Sequence, residues 1–300
     1  MFCRHNRLEV NCPICAREKA PQRPASSRGG GSTARRPGTP PPARRHGSGS
    51  RAGHLVTKRL ARATDDGWRS DLVPGVKATA DAERLAVALT VAAARLDFPG
   101  PHPAVAEADD AESATWLAFL LALAGPDNPE LQAALTAARP SMEDGAGSGL
   151  GPAAERAIAA YKAWAARNGS QRRAIGGEPG WTPQRRFART FDRLALPGFG
   201  RAERFEFLTT IGAAGVYELD ADALHVAVAH DDATTLAAKR ALNSGDAMLL
   251  ERRATALAEA AGLPIAALDR GLALWDRTTP LDPPDGDDRL GAARHALRLG

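Results

Sequence analysis

The first fifteen residues contain all three cysteines of the chain, together with one histidine. Cys3 and His5 are two residues apart, and Cys12 and Cys15 form a Cys-x-x-Cys pair after six further residues. Thiolate and imidazole groups arranged as two close pairs suit a tetrahedral Zn²⁺ ion. We therefore expect a structural zinc site at Cys3, His5, Cys12 and Cys15, with no position left open for catalysis. A cluster of reduced thiols and a redox-active Cys-x-x-Cys are the alternatives.

A glycine-rich turn lies between two segments with helical periodicity. It is the pentapeptide LPGFG, which ends at Gly200. Its glycines permit positive φ angles and close approach of a phosphate, and the next helix would present unpaired N–H groups to the same anion. The pattern predicts a helix-hairpin-helix in which Gly198 and Gly200 hold a nucleic-acid backbone and Arg201 and Arg204 reach phosphates. The alternative is an ordinary turn between helices.

Helices are expected to position these groups, because apolar residues recur at intervals of three and four and no run alternates like a strand. Asn128-Pro129 and Thr182-Pro183 each place a capping side chain before a proline, as at a helix start. We predict an all-α, two-lobed bundle of about ten helices, with loops at 145–151 and 169–179. The apolar positions that carry the pattern are Leu85, Leu89, Ala92, Leu96, Trp116, Phe119, Leu120, Leu123, Phe187, Phe191, Leu194, Leu250, Ala254, Leu257, Ile265, Leu268, Leu272 and Trp275.

Charge and composition divide the chain into three parts. We expect a zinc-binding head at residues 1–16, a disordered Arg/Pro/Gly-rich linker at 17–54 and a helical domain at 55–300. Residues 1–62 contain 14 Lys/Arg against two acids, whereas the remainder contains 25 against 33. A basic arm of this kind suits a polyanion, and a solubilising tail is the alternative.

The sequence gives no sign of a membrane protein. The longest apolar stretch, Trp116 to Gly125, is about half the length needed to span a bilayer. The first seven residues carry charge and a histidine, so no secretory signal is expected. We expect a cytoplasmic protein, with nucleoid association if DNA is its partner.

The segment around the turn resembles the helix-hairpin-helix DNA glycosylase superfamily. The resemblance covers residues 182–228, TPQRRFARTFDRLALPGFGRAERFEFLTTIGAAGVYELDADALHVAV. In that superfamily the LPGxG turn is followed, at a nearly constant interval, by an essential aspartate that opens the next helix. Asp220, 20 residues after Gly200, matches this place, and Asp222 is the less favoured candidate. The resemblance implies that Asp220 stabilises positive charge on a sugar or activates a nucleophile, while a plain helix cap is the alternative.

Two features depart from that superfamily. Ala202 occupies the position at which its lyase-active members carry a catalytic lysine, so a Schiff base there is excluded. No cysteine follows Cys15, so the iron–sulfur loop of some members is also absent.

The wider pattern over residues 55–275 is similar to the alpha-glutamyl/putrescinyl thymine pyrophosphorylase group, clade 3, including ESATWLAFLL at 112–121. That resemblance implies pyrophosphate displacement from a modified thymine in DNA, with simple base excision as a monofunctional glycosylase as another reading. The target base would be rotated out of the helix, and Trp116, Trp181 and Tyr217 are expected either to line its pocket or to fill the core. A non-catalytic nucleic-acid-binding module is the alternative function, and RNA is the alternative ligand.

Overall fold

The computed structural model describes residues 63–143, 150–227, 230–277 and 279–299. These residues form helices and connecting loops with no strand, which confirms the all-α prediction. The twelve helices of the described residues are α1 (Thr79–Ala94), α2 (Pro103–Ala106), α3 (Ala111–Ala124), α4 (Pro129–Ala138), α5 (Pro152–Arg167), α6 (Gln171–Gly176), α7 (Pro183–Arg193), α8 (Arg201–Ala213), α9 (Ala233–Ala241), α10 (Ala247–Ala261), α11 (Ile265–Trp275) and α12 (Asp288–Ala296).

The head expected at 1–16 and the linker expected at 17–54 lie outside the described residues. None of the described helices combines the length and the apolar character that crossing a membrane requires.

Side-chain caps fix several helix starts, including both that the sequence predicts. Asn128 accepts a hydrogen bond from the Leu131 N–H at the start of α4. Thr182 does the same for the Arg185 N–H at the start of α7. In both helices proline follows the cap, where its missing N–H costs nothing.

The predicted apolar periodicity corresponds to the buried faces of the helices. Leu85 and Leu89 are buried on α1, Phe187 and Phe191 on α7, and Leu268 with its neighbours on α11. Helix α3 is buried over most of its length, from Ala114 to Ala122, so the other helices of its neighbourhood pack around it.

The helices fall into two groups by their contacts. We call α2–α8 the hairpin group, in which α8 packs along α3 and α7 packs against α6 and α8. We call α1 with α9–α12 the terminal group, in which α11 packs along α1 and α12 packs against α1 and α10. Helix α8 therefore belongs to the hairpin group, and one side of it faces the terminal group.

Ion pairs join the two groups. Arg95, which follows α1, pairs with Glu206 on α8. Arg201, at the start of α8, pairs with Asp232 and Asp269 from α9 and α11. The charged side chains of α8 thus connect it to three helices of the terminal group.

One predicted loop contains a helix. Residues 169–179 were expected to form a loop, but α6 occupies Gln171–Gly176. Ser170 caps its start, and the carboxylate of Glu112 on α3 accepts hydrogen bonds from the N–H groups of Gln171 and Arg172. This helix depends on an acceptor from a distant part of the chain, which a local pattern does not reveal. Most of the other predicted loop, 145–151, lies outside the described residues.

Candidate nucleic-acid interface

A formed turn joins α7 to α8. After α7 ends at Arg193, the N–H of Phe199 donates a hydrogen bond to the carbonyl of Leu196 at 3.0 Å, and α8 begins at Arg201. Gly198 and Gly200 are both exposed. The predicted glycine turn between two helices is therefore present, and its outer surface is accessible.

The two glycines of the turn differ in their backbone conformation and in the space around them. Gly198 has a φ of +81°, and a Cβ atom there would lie 2.3 Å from the Ala153 carbonyl oxygen of α5. Gly200 has an ordinary φ of −74°, and a Cβ atom would meet only the end of the flexible Glu203 side chain, at 2.6 Å. Gly198 is thus required by packing within the protein, whereas a side chain at Gly200 would only have to displace the end of Glu203.

An aromatic anchor fixes the turn on the core. Phe199 is 2 % exposed, and its ring centroid lies 5.0 Å from that of Phe119 on α3 and 6.1 Å from that of Phe207 on α8. Aromatic pairs at these separations add to the stability gained from burial. The backbone on either side of Phe199 is therefore exposed but held in place.

The first turn of α8 has unused hydrogen-bond donors. Gly200 is its N-cap, and none of its first N–H groups bonds to a side chain of the described residues. Helices α1, α2, α5 and α11 share this feature, whereas in α3 and α9 Asp110 and Asp232 accept hydrogen bonds from the corresponding groups. The N-terminus of α8 can therefore donate to an external acceptor such as a phosphate.

Arg201 does not extend toward solvent, contrary to expectation. It is 5 % exposed; its Nη2 lies 2.8 Å from Asp269 Oδ2 and 2.9 Å from Asp232 Oδ1, and its Nη1 donates to the Leu224 carbonyl at 2.7 Å. Burial opposes the charged form, but the two carboxylates outweigh it and raise the pKa of Arg201. The guanidinium is a fixed internal cation, so only the backbone of this residue faces the turn.

Arg204 is also directed inward, which corrects the second arginine prediction. It is 9 % exposed, donates to the carbonyls of Phe191 and Gly200 at 2.9 Å and 3.2 Å and lies 4.2 Å from the Phe191 ring centroid. Burial and the nearby Arg201 lower its pKa. Its role in the structure is to tie the end of α7 to the start of α8.

Asp220 is exposed and fixed by α7. Its carboxylate accepts a hydrogen bond from Gln184 Nε2 at 2.9 Å, and its N–H donates to the Pro183 carbonyl at 3.4 Å. The resemblance implies that Asp220 opens a helix, but it does not. The next helix begins at Ala233 with Asp232 as its cap. Asp222, the second candidate, is also exposed.

A shallow cavity of about 440 Å³ adjoins the segment that carries Asp220. Arg172, Arg186, Tyr217 and Glu218 are among its lining residues, and Asp220 is not. Arg186 holds this segment by donating to the Glu218 carbonyl at 2.7 Å.

Most of the aromatic residues proposed for a base pocket belong to the interior. Trp116 is 1 % exposed, and Trp181 is also buried. Tyr217 is partly buried and its hydroxyl lies 3.0 Å from the Thr115 hydroxyl. Of the three, Tyr217 alone lines the cavity next to Asp220.

A row of arginines on α7 was missed in the sequence analysis. Arg185, Arg189 and Arg193, which we call the α7 arginine stripe, follow each other at intervals of four and are all exposed. Trp181 precedes the helix, and its ring centroid lies 5.5 Å from the Arg185 guanidinium and 5.3 Å from that of Arg193. The spacing was visible in the sequence, but the acidic balance of residues 63–300 concealed this local excess of positive charge.

The predicted zinc ligands Cys3, His5, Cys12 and Cys15 lie outside the described residues. Within residues 63–143, 150–227, 230–277 and 279–299, no three His, Cys, Asp or Glu side chains are grouped so as to hold a metal ion. The zinc site stays a prediction.

Comparisons with protein-family models, with curated proteins and with solved structures find no match to this chain.

Proposed function

We propose that this protein binds DNA by clasping the phosphate backbone with the turn between α7 and α8. The observation that carries the proposal is the geometry of the turn itself. Gly198 and Gly200 are exposed, Phe199 anchors the turn in the core, and the N-terminus of α8 has no side-chain cap. These features together make a rigid, accessible surface of backbone donors.

Physical chemistry favours a phosphate at this surface. The N–H groups of a first helical turn point along the axis, and the helix dipole adds a partial positive charge of about +0.5 at that end. A contact made by backbone groups does not read the base sequence. We therefore expect binding with little sequence preference, supplemented by the basic arm at residues 1–62 if it engages the same polyanion.

Substitution of Gly200 tests the proposal. Gly200→Val should be compatible with the fold, because the φ angle suits any residue and the nearest obstacle is the mobile end of Glu203. The new side chain would stand where a phosphate approaches, so we expect duplex affinity to fall by about tenfold or more. Fluorescence anisotropy with the full chain and a labelled duplex would measure it.

Gly245→Val is the matched control. Gly245 is an exposed glycine just before α10 in the terminal group, and a Cβ atom there would meet nothing within 4 Å. The affinity of Gly245→Val for the duplex should equal that of the unaltered chain. If Gly200→Val binds the duplex as tightly as Gly245→Val, with both variants folded, the turn is not the DNA contact.

A second candidate function is chemistry on a thymine base, as the pyrophosphorylase and glycosylase resemblances imply. The observation in its favour is that Gln184 and Pro183 fix Asp220, two residues beyond the Tyr217–Glu218 segment that lines a cavity. Under this proposal Asp220→Asn leaves duplex affinity equal or slightly higher and abolishes any base-altering activity.

Mass spectrometry of nucleosides from DNA incubated with the protein would test that activity. Asp285→Asn is the control, because Asp285 is an exposed aspartate in the loop before α12, outside the segment of the two candidates. Equal product from the unaltered chain and from Asp220→Asn would remove Asp220 from the chemistry.

A further inference from the structure

We propose that the α7 arginine stripe is a second contact to the DNA backbone, continuous with the turn. This inference rests on the proposed function, because it assigns the strand path next to the turn. It is carried by the placement of Arg185, Arg189 and Arg193, by their lack of carboxylate partners within the described residues and by the aromatic residue that orders two of them.

The stripe lies on the outer side of α7. Phe187, Thr190 and Phe191 form the buried side of this helix. Residues four apart stand above one another on a helix, so Arg185, Arg189 and Arg193 form one row on the exposed side. At a rise of 1.5 Å per residue the row is about 12 Å long. It ends at the last residue of α7, directly before the turn.

The stripe arginines have no carboxylate partners. Within the described residues, none of the three guanidinium groups takes part in an ion pair or a hydrogen bond. Some exposed arginines elsewhere are paired: Arg139 pairs with Glu107, and Arg294 pairs with Glu83. Asp192, the single acid of α7, pairs with none of the stripe residues. Their positive charge is therefore available to an external anion.

Trp181 orders the two ends of the stripe. Arg185 and Arg193 both lie within 5.5 Å of its ring centroid, and the ring is buried against the loop backbone at Gly177, where a Cβ atom would lie 2.4 Å from a ring carbon. A guanidinium held against an aromatic ring loses less conformational entropy when it binds a phosphate. The surface is thus partly preorganised for an anion.

The positive charge is local. Residues 150–193, which span α5, α6 and α7, contain nine Lys/Arg against three Asp/Glu. The rest of residues 63–300 contains 16 against 30. A polyanion would therefore be attracted to this part of the domain and repelled by the remainder.

Duplex DNA fits this surface. About seven phosphate charges lie along 12 Å of duplex, so three guanidinium groups in a 12 Å row can each neutralise one. Because the row leads into the turn, a strand held by Gly200 can continue along α7, on which Asp192 is the single acidic residue. Phosphodiester contacts of this kind supply affinity and a dependence on salt, but not sequence specificity.

The salt dependence of binding tests the stripe. We expect the full chain carrying R185Q, R189Q and R193Q together to bind a duplex more weakly. The slope of log affinity against log salt concentration should become shallower by roughly two to three, since each neutralised phosphate contributes about 0.9. The control carries R252Q, R294Q and R298Q, which remove the same charge from exposed arginines of the terminal group. Its slope should match that of the unaltered chain.

The outcomes separate this inference from the proposed function. Equal slopes for the two triple variants would overturn the stripe contact, whether or not Gly200→Val weakens binding. A shallower slope for the stripe variant together with unchanged binding by Gly200→Val would overturn the turn instead. If the stripe variant loses affinity for poly-glutamate but not for DNA, the stripe binds an acidic protein and the inference is overturned. If it loses affinity for single-stranded RNA but not for duplex DNA, the inference is likewise overturned.

Discussion

Glu203 is the residue that most directly opposes a phosphate at the turn. Its carboxylate oxygen lies 2.6 Å from the position that a Cβ atom of Gly200 would take, and it is the acidic residue of the first turn of α8. A carboxylate here interacts favourably with the positive end of the helix. Binding of a phosphate must therefore displace it or accept its repulsion.

Replacing Glu203 with glutamine should strengthen DNA binding. The variant keeps the size of the side chain and removes the like charge, so we expect duplex affinity to rise roughly two- to fivefold at low salt. The helix should lose about 0.3–1 kcal/mol of stability, because the charge no longer complements its dipole. Anisotropy titrations and thermal unfolding would measure the two effects.

Glu259→Gln serves as its control, because Glu259 is exposed on α10 and its removal should leave affinity unchanged. If Glu203→Gln binds no better than this control, no phosphate approaches the first turn of α8.

The inward direction of Arg201 and Arg204 follows from partners that the local sequence does not contain. Arg201 pairs with Asp232 and Asp269, and the second of these is 68 residues further along the chain. Arg204 donates to the Phe191 carbonyl, which is within reach because α7 ends beside α8. The type and position of these residues were predictable, but the direction of their side chains depended on tertiary structure.

At the scale of elements, the turn depends on α5. Gly198 approaches the backbone of Ala153 so closely that no side chain fits, and it holds a φ of +81°. The hairpin is therefore shaped by three helices, α5, α7 and α8. Only two of them are adjacent to it in sequence.

Gly198→Ala should destabilise the domain. The left-handed conformation costs an alanine about 1–2 kcal/mol, and the contact with the Ala153 carbonyl adds to this cost. We expect a free-energy loss of about 2 kcal/mol or more. Urea denaturation of Gly198→Ala and Gly200→Ala would measure it.

The second glycine provides the comparison, because its φ angle is ordinary, and its substitution should cost less than about 1 kcal/mol. Equal losses for the two variants would mean that the approach to α5 is not maintained in solution.

The elements that the sequence predicts best are those whose determinants are local. Asn128 and Thr182 cap α4 and α7 as expected, since cap and helix are adjacent. Helix α6 was missed because Glu112 of α3 satisfies its first N–H groups. Asp220 was expected to open a helix, but its N–H instead bonds to the Pro183 carbonyl. Both errors arose where a distant group supplies the partner.

At the scale of the whole molecule, α8 links the two groups of helices. Its first residue, Arg201, holds Asp232 and Asp269 of the terminal group. One turn and a half further on, Glu206 holds Arg95 and lies 3.7 Å from His102. The helix that presents the turn is thus held to the terminal group by ion pairs, and it is packed within the hairpin group. Both groups of helices therefore help to fix the position of the turn.

This linkage predicts a specific response to acid. Burial opposes the charged form of Glu206, but Arg95 and His102 outweigh it and hold the pKa of Glu206 well below its ordinary value of 4.5. A carboxyl group whose folded-state pKa is lowered contributes stability that is fully present above about pH 4.5 and is lost as the pH falls toward the folded-state value. Glu206→Gln should therefore be less stable than the unaltered chain by about 1–3 kcal/mol near pH 7.

The difference in stability between the two proteins should shrink as the pH falls to about 3. At that pH the Glu206 carboxyl group of the unaltered chain takes up a proton in the unfolded state, and this stabilises the unfolded state. Urea denaturation across this pH range measures it. Glu83→Gln removes the partner of Arg294 in a more exposed pair and should change stability by no more than about 1 kcal/mol. If Glu206→Gln shows the same difference at every pH, the ion pair with Arg95 does not hold α8 to the terminal group, and this link rests on the ion pairs of Arg201 instead.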